Sequence, residues 1–138
     1  MTRDEAVSVL GPVLQAAPLR LAVLFGSGAR DALRADSDLD VGFLPRDPAI
    51  ALAAELSLQA ALERAAGRTV DLVRLDRAST LLRWRAAREG VLLVADSPRE
   101  FPRFVARAGI EHGDFAPLYA RTAERFRRRL AAGGSGPR

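Results

Sequence analysis

Apolar positions at Ala6, Val9, Leu10, Val13 and Leu14 recur at helical spacing behind Thr2, which with Glu5 three positions on forms a capping-box start. The pattern predicts a helix from near Arg3, which Gly11-Pro12 should kink or divide, because proline removes a hydrogen bond and crowds the preceding turn. Leu19 to Phe25, apolar but for Arg20, is a run of strand length and reads as a buried strand. Gly26-Ser27-Gly28 then lets the backbone turn sharply, so that peptide N–H groups can approach an anion closely. Only a short helical turn fits between Gly28 and Asp36 before a second strand opens at Asp38. Alternation along that strand puts Asp38 and Asp40 on one side, about 6.6 Å apart along the backbone, and Leu39, Val41 and Phe43 on the other. One face carries charge and the other is core.

Further along, Asp47-Pro48 has the form of a helix start and Gly67 of its close, with Leu52, Leu56 and Leu62 as the packing face. Residues 68–75 read as a third strand, interrupted by Asp71 and Arg74. A helix from about Thr80 to Arg88 ends at Gly90, and Val91 to Ala95 forms a fourth strand. Ser97-Pro98-Arg99-Glu100 is another capping-box start. Two helices are expected after it, broken around Gly109 to Pro117, before a polar tail over residues 133–138 that composition marks as disordered.

Two carboxylates side by side on a half-buried strand repel each other and lose hydration, an arrangement that normally includes a cation. Mg²⁺ suits them, since it takes oxygen ligands and is typically completed by substrate phosphates, which the neighbouring glycine-serine turn is placed to hold. The bland alternative is a polar turn made by Asp36, Ser37, Asp38 and Asp40 with solvated caps.

The string GSGARDALRADSDLD resembles the signature of the nucleotidyltransferase superfamily related to DNA polymerase beta: Gly-Ser, ten residues, then Asp-x-Asp. More narrowly it is similar to the minimal nucleotidyltransferase (MNT) domains, with Ala29, Arg30, Ser37 and both aspartates in place. Asp31 stands where that family usually has glycine, and Gly28 where it often has a larger residue. The segment LLRWRAAREGVLLV followed by SPREFPRF extends the likeness to antitoxin-type MNT proteins.

The resemblance implies an α/β (α+β) chain of the polymerase beta-like fold, a small mixed sheet flanked by helices. Residues 1–98 would be the core, 99–132 a helical extension of it, and 133–138 the tail. It implies ATP as substrate and two Mg²⁺ ions held by Asp38, Asp40 and Asp71. Asp71 would be the third carboxylate, and would accept the proton; Asp76 is the fallback for that place. Gly26, Ser27 and Gly28 would bind the nucleotide, and Arg30 would contact phosphate or pair with Asp38. The implied reaction is transfer of AMP to a hydroxyl, a tyrosine of a partner HEPN ribonuclease toxin that the chain neutralises. The rival is a degenerate fold that neutralises its partner by contact alone.

Composition narrows the rest. A chain of 138 residues suits one domain, and the start MTRDEAVS lacks the basic and apolar regions of a signal peptide, so the cytoplasm is expected. Cysteine is absent and His112 is the one histidine, so a metal must rest on carboxylates. The pI near 11.0 and net charge of +4 invite a nucleic-acid reading. Every basic residue is arginine, however, a one-sidedness that looks compositional, and the cluster at Arg121, Arg125, Arg127, Arg128 and Arg129 reads first as a solvated helix face. A dinucleotide fingerprint fails at Asp31, a P-loop fails for want of lysine, and Ser27 as a hydrolase nucleophile lacks a nearby histidine. Trp84, Tyr119 and the phenylalanines read as packing residues.

Overall fold

The computed structural model describes residues 1–29 and 37–113. Arg30, Asp31, the arginine cluster of residues 121–129, Tyr119, the second C-terminal helix and the tail lie outside the described residues.

Helix α1, Arg3–Gln15, is capped by Thr2, whose hydroxyl accepts from the Glu5 N–H at 3.1 Å. Ala6, Leu10 and Leu14 are its buried stripe at i, i+4 and i+8. Gly11-Pro12 does not divide it. A glycine before proline offers no Cβ to the pyrrolidine ring, and Leu10 and Leu14 anchor the chain to the core on either side. Strand β1, Leu19–Phe25, follows, and then a single 3₁₀ turn, Gly26–Ala29. Strand β2, Leu39–Pro45, pairs antiparallel with β1, placing Asp40 opposite Phe25.

Helix α2, Leu52–Ala66, carries the chain across to β3, Val70–Arg74, which pairs parallel with β2. Parallel pairing needs such a crossover. The helix begins four residues later than Asp47-Pro48 suggested. Asp47 instead makes a turn, its carboxylate accepting from Ala49 N–H at 2.9 Å, and Ala51 is the cap. The packing face also differs from expectation: Leu62 and Ala66 are buried with Leu58 against them, whereas Leu52 and Leu56 are 67% and 56% exposed. Leu58, Leu62 and Ala66 are spaced by four and share one face; Leu52 and Leu56 are rotated away from it. Gly67 closes the helix with φ +68, as expected.

Helix α3, Thr80–Glu89, is capped by Ser79, and β4, Val91–Ala95, pairs antiparallel with β1. Helix α4, Glu100–His112, starts three residues after Ser97, which makes a turn by accepting from Arg99 N–H. It runs through Gly109, so the expected break begins only at Gly113 (φ +78).

The four strands lie in the order β3-β2-β1-β4. On one face, α1 and α2 pack over Leu19, Ala22, Leu24, Leu39, Val41, Phe43 and Val70; on the other, α3 and α4 bring Trp84, Ala86, Phe104 and Ala108 onto Leu21, Val23, Phe25, Leu44 and Leu75. The charge-bearing side of β2 is thus core too once past Asp40. Gly42, two residues on, lies so close under Leu75 that a Cβ there would sit 2.8 Å from the Leu75 side chain. Among the described residues no helix is long and apolar enough to cross a membrane.

Candidate active site

The chemistry-bearing residues gather at one end of the sheet. There β1 ends, β2 and β3 begin, and β4 begins as well, since Val91 pairs with Leu24. Gly26, Ser27 and Gly28 form the turn leaving β1, with Gly26 at φ +64. Asp38 lies just before β2 rather than within it, and is exposed. Its approach is held from β3's side: Arg68 donates to the Ser37 carbonyl at 3.2 Å, and Leu39 N–H donates to the Thr69 carbonyl at 3.0 Å.

Asp40 is half-buried inside β2, and its register partner in β3 is Asp71. Partners in a parallel pair point to the same face from strands about 4.8 Å apart, so both carboxylates stand on the α3 side. The structure therefore brings Asp71 beside Asp40, with Asp38 near enough to act on it electrostatically. Burial raises the Asp40 carboxyl above its ordinary value; Asp71 pushes the same way, Arg85 opposes, and Asp38 and Glu89 add to the rise. Gly26 completes the arrangement by having no side chain: a Cβ there would fall 2.4 Å from Asp40 Oδ2.

Asp76, the fallback third carboxylate, is elsewhere. It lies past the far end of β3, bound to Arg74 at 2.6 Å, and this hydrogen bond holds its carboxyl below the ordinary range. A cavity of about 890 Å³ opens at that same far end, lined among others by Arg20, Asp76, Arg83, Glu100, Arg103 and Arg107; none of Asp38, Asp40 and Asp71 lines it. His112 closes α4 and stacks on Trp84 with ring centroids 5.3 Å apart, a packing role.

Three residues escaped the sequence reading. Arg68, Arg85 and Glu89 all reach this end of the sheet, yet each looks like ordinary surface charge on a helix or loop. Only α3's direction, ending where β4 begins, could have singled out the last two.

Could these residues hold a metal? Among the described residues, no three carboxylate or imidazole groups form a ready-made cage. The donor set still fits Mg²⁺, which is bound through one or two carboxylates plus substrate phosphates and keeps water. A half-buried carboxylate whose carboxylate neighbours destabilise its charged form is also the group that a cation would relieve.

A family model described as "Polymerase beta, Nucleotidyltransferase" matches residues 12–99, which include the turn and all three aspartates. The chain belongs to the polymerase beta nucleotidyltransferase family. Solved structures agree with this nucleotidyltransferase fold. A toxin-antitoxin structure with AMP-PNP superposes at a TM-score of 0.65 and 23% identity, covering 91% of this chain and 99% of that one. An MNT antitoxin in complex with tri-AMPylated HEPN toxin, from Shewanella oneidensis, gives 0.63 and 23%, covering 90% and 98%. A minimal nucleotidyltransferase gives 0.52 at 31% identity, covering 64% and 89%. Comparison with curated proteins gave no match.

Proposed function

We propose that this chain transfers AMP from ATP to a hydroxyl in a Mg²⁺-dependent reaction, and that the acceptor is a tyrosine of a HEPN toxin which it thereby neutralises in the cytoplasm. The observation that carries the reading is the register of β2 and β3, which sets Asp71 beside Asp40 within reach of the Gly26–Ala29 turn. Two Mg²⁺ ions on Asp38, Asp40 and Asp71 would supply charge neutralisation of the triphosphate and activation of the acceptor oxygen. Ser27 and the N–H groups of the turn hold the β and γ phosphates, and Arg30 adds a charged contact to them. Asp71, exposed at the sheet edge, takes the proton of the acceptor hydroxyl. The freed oxygen bonds to the α-phosphorus as the bond to the bridging oxygen breaks, and pyrophosphate leaves in line with the attack.

The partner is supported by two of the neighbours, which are toxin-antitoxin structures, one with AMP-PNP and one with an AMPylated toxin. Incubation with labelled ATP, Mg²⁺ and the co-encoded HEPN protein tests the proposal. Label should appear on a tyrosine of the partner and disappear with Asp38→Asn and Asp40→Asn together. Neutralisation of the toxin without any label would instead establish the contact-only reading.

A further inference from the structure

The last turn of α3 forms a wall of the candidate site. A Cβ at Gly90 would lie 3.4 Å from Val23 Cβ, ordinary packing distance, so the helix end rests against β1 just before Phe25, the residue opposite Asp40. Trp84, Ala86 and Ala87 face the core, which leaves Arg85, Arg88 and Glu89 toward the open side.

The Arg85–Glu89 pair is loosely made. Arg85 Nη2 stands 3.8 Å from Glu89 Oε1, an ion pair too long to be a hydrogen bond, and that oxygen is buried without any hydrogen-bond partner. Arg88 lies 3.9 Å from the other Glu89 oxygen. Arg85 is half-exposed, and it is the one cation whose charge bears on Asp40 among the described residues. Arg68, also at this end, donates to the Ser37 carbonyl.

A triphosphate delivered to Asp40 brings several negative charges, and more charge develops on the departing pyrophosphate. The chain has no lysine, so any side-chain cation for these oxygens must be an arginine. A guanidinium has five donors in a planar fork that matches two phosphate oxygens.

We propose that Arg85 binds the polyphosphate of the donor nucleotide from the α3 wall, and that Glu89 is the positioning residue that holds it there. Glu89, one helical turn on, competes with Asp40 and Asp71 for the guanidinium and so keeps Arg85 from collapsing onto the carboxylates that serve the metal. This rests on the ATP-dependent reading above.

Calorimetric titration of the full chain with ATP and with AMP, each in Mg²⁺, tests it without needing the acceptor. Arg85→Gln should weaken ATP binding by about ten- to a hundredfold, the worth of one or two charge-assisted hydrogen bonds, and AMP binding by less than about threefold. Arg85→Lys should recover part of the loss, since charge returns without the fork. Glu89→Gln should weaken ATP binding several-fold with AMP unaffected, and none of the three should shift the melting temperature appreciably. ATP affinity of Arg85→Gln within about twofold of the parent would overturn the inference while leaving the functional reading intact. So would equal weakening of ATP and AMP. Failure of the unaltered chain to bind ATP would sink both.

Discussion

Replacing Gly26 by alanine separates two costs that a single glycine avoids. The first is conformational: at φ +64 an L-residue with a Cβ loses about 1–2 kcal/mol. For a chain of this size that lowers the melting temperature by roughly 3–8 °C. The second cost is local to the site. The new Cβ would stand 2.4 Å from Asp40 Oδ2, whereas ordinary contact begins near 3.4 Å, so the carboxylate must retreat by about 1 Å. A displacement of that size in a reacting constellation costs on the order of a hundredfold in rate.

Gly67 provides the matched control, because its φ is +68 and nothing lies within 4 Å of its would-be Cβ. Gly67→Ala should therefore show the same loss in melting temperature with transfer intact. The assay is thermal unfolding together with pyrophosphate release in the presence of Mg²⁺, ATP and the HEPN partner. If Gly26→Ala keeps activity within about threefold of Gly67→Ala, the position of Asp40 does not depend on the bare glycine and the reasoning is refuted.

Asp40→Asn should raise the melting temperature in EDTA at pH 7 while abolishing transfer. The native carboxyl is raised by burial and by its acidic neighbours, so its destabilising contribution grows as pH climbs through the raised value. The gain from asparagine should accordingly vanish below the ordinary carboxylate range, and a gain that persists at pH 3 would contradict the assignment. Leu62→Ala should cost about 2–5 kcal/mol in denaturant unfolding, whereas Leu56→Ala, at an exposed site, should stay within about 0.5 kcal/mol; equal effects would discredit the packing face. Gly42→Val forces two branches into the Leu75 side chain and should cost about 1–3 kcal/mol by the same measurement.

Much of this architecture was legible because local signals and burial agree. Leu21 to Phe25 is apolar throughout since both its faces are covered, and Thr2 and Gly67 cap the helices that their chemistry announced. The misreadings share a cause. Asp47-Pro48 and Ser97-Pro98 each satisfy a turn as well as a cap, and only the tertiary path decides which is formed. Leu52 and Leu56 are as hydrophobic as Leu62, but rotation about the helix axis leaves them outside. Asp40 could be placed by alternation, whereas Asp38, put in the strand by the same rule, lies just before it. The meeting of Asp40 with Asp71 depends on register across a helical crossover, which no local pattern encodes, and Arg85 and Glu89 enter only through the direction in which α3 ends.

Among the described residues strand β3 lies at the edge of the sheet, bonded to β2 alone, and past Val70 its residues are only partly covered or open to solvent. Opening that strand breaks one ladder rather than two, so local unfolding should remove Asp71 at less cost than anything that disturbs Asp40. Amide exchange from Val70 to Arg74 should then outpace that of β1, and slow when Mg²⁺ and nucleotide draw the carboxylates together. The site would thus be completed at its margin, by the strand with least to hold it, and ligand binding would double as the last step of folding.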